Sequence, residues 1–197
     1  IAIDPFDSNR VWLTTGYGIW GCDDLTRADS GLPTHWTFAD DGLEETVPLT
    51  LISPPVGAHL LSGVGDIDGF RHDDLDKSPA AGNFTGPRFV NTEDLAFAGQ
   101  NPDVMVRYGV DKRGSERAAI SEDGGINWQA LASQPPYGFG AGNITLSADG
   151  RIMVWTPRRG RPFYSLDRGT NWTACAGLSW RDEVAADRVP PGGNALT

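Results

Sequence analysis

Positive charge is scarce in this sequence. Its 197 residues carry 16 Lys and Arg against 26 Asp and Glu, a net charge of −10 with a pI near 4.6. Nucleic acid and anionic membrane surfaces are recognised through clustered Lys and Arg, so both are excluded as partners and a neutral ligand is favoured. Long apolar runs are missing too. No stretch of about 18 apolar residues occurs, and no charged segment precedes a short apolar one, so the sequence as it stands shows neither a transmembrane helix nor a signal peptide. Cysteine is limited to Cys22 and Cys175, far apart and at no metal or redox spacing, and a disulfide between them is left open. His35, His59 and His72 are scattered, with no Cys, Asp or Glu at ligand spacing, so no metal and no cofactor is expected.

Room for a long helix is also lacking. There are 25 glycines and 14 prolines, about a fifth of the chain against an average near 12%. The longest segment free of both is Leu178 to Val189. Gly16, Gly18 and Gly21 fit the dinucleotide pattern G-x-G-x-x-G, but that fingerprint needs a helix to follow. Gly31 and Pro33 come too soon for one, and the glycines read equally well as a hairpin.

Short β-prone runs bounded by turn residues are plentiful: Val11–Thr15, Val47–Ile52, His59–Val64, Asp94–Ala98, Val104–Tyr108, Asn143–Ser147 and Ile152–Trp155. One eight-residue pattern, S-x-D-x-G-x-x-W, occurs twice, at Ser121–Trp128 and 44 residues later at Ser165–Trp172. That period, in turn-rich sequence between strands, suits a four-stranded propeller blade. Asp123 and Asp167 are expected to form turns rather than do chemistry, and Trp128 and Trp172 to pack with the indole N–H bonded at the rim. The expected fold is all-β, a propeller of about three to four four-stranded blades. Ile1 opens in a strand-like segment and the chain closes on Pro190-Pro191-Gly192-Gly193, so 1–197 reads as a partial propeller domain, an interior fragment of a larger protein.

Chemistry concentrates between Leu60 and Asp76. An apolar strand runs into Gly65-Asp66-Ile67-Asp68-Gly69, which would lift a carboxylate to the mouth of a blade. Asp66 is the catalytic candidate. Arg71 and His72 follow, and could tune that acid, bind a ligand hydroxyl, or form a solvated face with Asp73 and Asp74. Tyr17, Trp20 and Tyr137, each in glycine-rich sequence expected to loop, offer flat aromatic faces and are candidates for binding a neutral substrate or for packing within a blade, while Trp12 and Trp155, inside strands, are assigned to core or inter-blade packing. Three sequons, at Asn83, Asn143 and Asn171, mildly favour secretion.

The segments Gly42–Leu75 and Pro33–Asp40, with Leu51-Ile52-Ser53-Pro54-Pro55 and Gly65-Asp66-Ile67-Asp68-Gly69-Phe70-Arg71-His72-Asp73-Asp74-Leu75, closely resemble glycoside hydrolase family 74. That family comprises secreted endo-xyloglucanases and oligoxyloglucan reducing-end-specific cellobiohydrolases. The resemblance implies two seven-bladed propellers around a cleft for the β-1,4-glucan backbone of xyloglucan, with inversion of stereochemistry. Asp66 matches the second-propeller aspartate whose proposed role is general acid, which partial burial and a partner carboxylate would equip for proton donation. The general base would come from the missing N-terminal propeller. Asp68 departs from the glycine usual there, and such an extra carboxylate could alter Asp66 or the loop. Two other readings stay open: a xyloglucan-binding remnant that does not cut, and a sortilin-like interaction module, since the repeated box also occurs in sialidases and sortilins.

Overall fold

The computed structural model describes residues 1–16, 18–41, 46–113, 115–135, 142–157 and 160–178. They belong to two compact units, Ile1–Thr46 and Val47–Thr197. The first unit is one antiparallel sheet in chain order: β1 (Ala2–Asp4), β2 (Asp7–Thr15), β3 (Gly18–Cys22) and β4 (Trp36–Phe38). The glycine-rich string around Gly18 is therefore a hairpin entering a strand, with Thr15 paired to Gly18 and Trp12 to Gly21. Among the described residues no α-helix follows it, which removes the dinucleotide alternative. A short 3-10 helix, Leu25–Ser30, leads towards β4. Of the two packing roles expected of Trp12, burial in the core of this sheet is not the one observed: strand alternation puts Val11 fully inside and leaves Trp12 46% exposed on the other face.

The second unit begins with β5 (Pro48–Ile52), β6 (Leu60–Val64) and β7 (Asp68–His72), then β8 (Asn91–Ala98), β9 (Asn101–Val110), β10 (Glu116–Ser121) and β11 (Gln129–Ala130). These seven form one sheet, in which a single parallel bridge, Asp68 to Asn91, joins the antiparallel β5–β7 group to the antiparallel β8–β11 group. A further sheet holds β12 (Asn143–Leu146), β13 (Met153–Thr156), β14 (Phe163–Ser165) and β15 (Thr173–Ala174). Groups of four, three, four and four strands are the blades of a partial propeller, and each expected strand lies on an observed one.

Strand β9, in the third blade, is buried on both faces. Residues Val104 to Gly109 of β9 are all inside, so alternate positions feed two separate cores. Val104, Val106 and Tyr108 join Ile144, Leu146, Met153 and Trp155 in one, while Met105 joins Leu61, Phe84, Phe89, Leu95 and Trp128 in the other. Trp155 is in the core as expected, edge-on to Tyr108 at 5.1 Å between ring centroids.

The repeated boxes build the turns that end these blades. In the first, Ser121 Oγ donates to Asp123 Oδ1 (2.8 Å) and accepts from the Gly125 N–H (2.9 Å), while Asp123 takes the Asn127 N–H (2.9 Å) and its side-chain amide (2.7 Å). The second repeats every bond through Ser165, Asp167, Gly169 and Asn171. Glycine is required at Gly125: φ is +84°, and a Cβ there would lie 2.5 Å from Leu61. The Trp128 N–H reaches the Gly125 carbonyl and that of Trp172 the Ser133 carbonyl. Hydrogen bonds from Asn171 and Ser165 pull the Asp167 carboxyl down to about 2. Ser147 and Asp149 make a reduced version in the β12–β13 turn.

Candidate active site

Asp66 sits at the tip of the β6–β7 hairpin. Its φ is +68°, and the Ile67 N–H bonds back to the Gly65 carbonyl at 2.8 Å, the i to i+2 closure of a γ-turn with Asp66 at the apex. The positive-φ γ-turn is rare and strained, and such outliers cluster at functional sites. Asp66 is exposed, and among the described residues its carboxylate has no hydrogen bond or ion pair. The partial burial expected of it is not provided by this turn.

Asp68, two residues on, behaves in the opposite way. It also adopts a positive φ, +78°, but is fully buried. Its carboxylate is ion-paired with Arg107 and accepts from Thr92 Oγ1 (2.7 Å) and the Phe89 N–H (3.1 Å). The Arg107 guanidinium also donates to the Pro87 carbonyl (2.6 Å) and is ringed by Phe89, Phe84 and Trp128 at 4.3, 5.0 and 5.1 Å from their centroids. Burial pushes the Asp68 carboxyl above the usual range, against the pull of Arg107 and Thr92; burial likewise pushes Arg107 down to about 10. The extra carboxylate is thus turned into the core and does not face solvent beside Asp66. The backbone keeps the left-handed conformation that suits glycine, which Asp tolerates better than most residues.

Arg71 and His72 do not join Asp66. They end β7, three and four residues along the strand from Asp68, about 10 and 14 Å from its start. Arg71 donates through Nε to the Gly124 carbonyl (3.0 Å) and pairs with Asp73, and it borders a cavity of about 390 Å³ with Lys77, Asn83, Phe84 and Ile126. His72 bonds Ser62 Oγ through Nε2 at 2.9 Å. Both are therefore excluded as direct neighbours of the acid. Trp20 lies in β3 rather than a loop, 5.0 Å from Phe38 between ring centroids, and lines a shallow apolar recess with Leu13, Thr15 and Trp36. Tyr17 and Tyr137 lie outside the described residues. Cys22 and Cys175 are free thiols, and the side-chain amides of Asn83, Asn143 and Asn171 are each bonded within the fold.

Sequence reasoning missed the Asp68–Arg107 pair and Asn91, whose Oδ1 accepts the Asp66 N–H at 2.8 Å. A signal for the pair existed: Arg107 is a lone cation inside the apolar run Val104-Met105-Val106-Arg107-Tyr108, and a buried cation needs a counter-charge.

No family model matches the chain. A xyloglucanase from Paenibacillus is 41% identical over 195 residues, 97% of this chain and 19% of that protein. The solved GH74 xyloglucanase from Xanthomonas campestris superposes with a TM-score of 0.75 at 48% identity, over 95% of this chain and 27% of that one. The chain is homologous to glycoside hydrolase family 74. A GH74 enzyme from Niastella koreensis superposes with a TM-score of 0.64 at 34% identity, covering 90% of this chain and 24% of its own. A Neosartorya fischeri protein described as a probable oligoxyloglucan-reducing end-specific xyloglucanase is 38% identical over 216 residues. The chain spans about a fifth to a quarter of the length of the curated relatives it matches.

Proposed function

We propose that this chain forms part of a secreted xyloglucan hydrolase in which Asp66 is the general acid. What carries the reading is the position of Asp66: an unengaged, exposed carboxylate at the apex of a strained turn, in a chain homologous to xyloglucanases along 97% of its length. The proton of the Asp66 carboxyl passes to the departing glycosidic oxygen as its bond to C1 breaks. A water attacks C1 from the opposite face and gives its proton to a second carboxylate, which inverts the centre; such pairs stand about 6.5 to 9.5 Å apart. That base comes from a further propeller across the cleft. A proton-donating carboxyl works best when desolvated, and the bound glucan with the opposing wall supplies what the hairpin itself does not.

A second reading is favoured by the exposure of Asp66 within this chain: xyloglucan binding without cleavage. Ground-state contacts survive the loss of one catalytic group. The two readings part in one experiment, reducing-end release from xyloglucan by the 197-residue chain, by its Asp66→Asn variant, and a binding isotherm on the same polymer. Hydrolysis abolished by Asp66→Asn means that this chain alone assembles both carboxylates. Binding without hydrolysis supports a half-site, and a folded chain that does neither removes the functional claim.

A further inference from the structure

The γ-turn at Asp66 is not self-supporting. A positive φ is unfavourable at a residue with a side chain, and the hairpin tip holds two, at Asp66 and at Asp68 where β7 begins. Within the hairpin the turn is closed by the Ile67 to Gly65 bond and by the pairing of Val64 with Asp68. Neighbouring segments add further tethers. The Gly65 N–H bonds the Val47 carbonyl at 2.9 Å, the Asp68 N–H bonds the Val90 carbonyl at 3.0 Å, and the side chain of Asn83 donates to the Ile67 carbonyl. Side-chain tethers to the acidic residues come from Asn91, on the Asp66 N–H, and from the Arg107–Thr92–Phe89 cradle around the Asp68 carboxylate. Asn91 is also where β8 makes its parallel bridge to Asp68, so one residue of β8 holds both the apex of the turn and the start of β7.

We propose that Asn91 and the buried Asp68–Arg107 pair are positioning residues that hold Asp66 at the apex of the γ-turn and so aim its carboxylate out of the sheet. This rests on the reading of Asp66 as the reacting acid. Asn91 fixes the amide of the acid directly. Asp68 acts through the backbone: a carboxylate locked to Arg107 prevents the left-handed residue from relaxing, which a surface aspartate at the same position would be free to do. Asp68 and Arg107 are fully buried and act from inside the sheet.

The test uses amide hydrogen exchange of Asp66 and Ile67 together with the ¹³C titration of the Asp66 carboxyl, on the 197-residue chain. Asn91→Ala removes the acceptor, and exchange at Asp66 is expected to quicken at least tenfold while the melting temperature stays within a few degrees. Asn91→Asp keeps an acceptor and adds a like charge; slow exchange is expected to persist while the Asp66 titration moves to higher pH. Asp68→Gly keeps the left-handed backbone and loses the tether, and it is expected to quicken exchange at Ile67. Should Asp68→Gly fail to fold, the two Asn91 variants still decide the matter. Unchanged exchange in Asn91→Ala, or an unmoved Asp66 titration in Asn91→Asp, overturns the proposal. In whatever form of the enzyme cleaves xyloglucan, Asn91→Ala is expected to lower kcat with little change in KM, and loss of kcat alongside wild-type exchange counts against positioning. Full activity of Asp66→Asn sinks the catalytic reading instead, and leaves the exchange result to stand on its own.

Discussion

Two kinds of acidic turn occur in this molecule. In the boxes at Ser121–Trp128 and Ser165–Trp172, the aspartate closes its own turn: each carboxylate oxygen is taken by the serine and asparagine of the same eight residues. In the hairpin at Gly65–Gly69 nothing local takes either carboxylate. Asp68 is satisfied by Arg107, a residue 39 positions away, and Asp66 by nothing among the described residues. An aspartate that its own turn consumes is a structural part. One that a turn holds out at the expense of backbone strain is available for chemistry, provided that something remote bears the strain.

The sharpest break in that comparison is Arg107→Met. It strands a buried carboxylate, and the expected loss is about 3–5 kcal/mol of stability, read as a shift in the urea midpoint. An unshifted midpoint would mean that Asp68 does not depend on Arg107. Ser121→Ala should cost less, about 1–3 kcal/mol, because the buried Gly125 N–H loses its acceptor while the rest of the box remains. A loss as large as that of Arg107→Met would erase the distinction between local and remote support. Asp167→Asn addresses the box through pH. The folded carboxyl lies at about 2, below its ordinary 3.8, so its stabilisation is fully present above about pH 4 and is lost as pH falls through 2. The stability gap between wild type and variant should be flat at neutral pH and narrow below pH 4; a gap independent of pH would show that the charge is irrelevant. The smallest effect belongs to Asp66→Asn, within about 0.5 kcal/mol of wild type because no protein group is bonded to that carboxylate. A clear destabilisation there would make Asp66 a structural residue.

Much of this was legible in the residues. The box pattern at Ser121 and Ser165 marks its turns because every donor and acceptor lies within eight residues of chain. Alternating apolar runs such as Val104–Tyr108 fix strands for a similar local reason. Local pattern does not decide faces: Trp20 lies in β3 where a glycine-rich loop is expected, and an apolar residue in a strand such as Trp12 does not say which face is covered. Of the roles open to Arg71 and His72, direct contact with Asp66 is removed because an extended strand carries successive residues steadily apart.

What the amino-acid order alone determined, then, is the set of local devices: strands, boxed turns, and an acid between two glycines at a hairpin tip. Only the tertiary structure decided which of the two neighbouring aspartates faces water. That choice depends on the Asp68 to Asn91 bridge and the β8–β9 register, which bring Arg107 and its aromatic ring under the turn. A buried charge is tolerated only where an opposite charge arrives from elsewhere in the fold, and the pairing of distant strands makes that arrival.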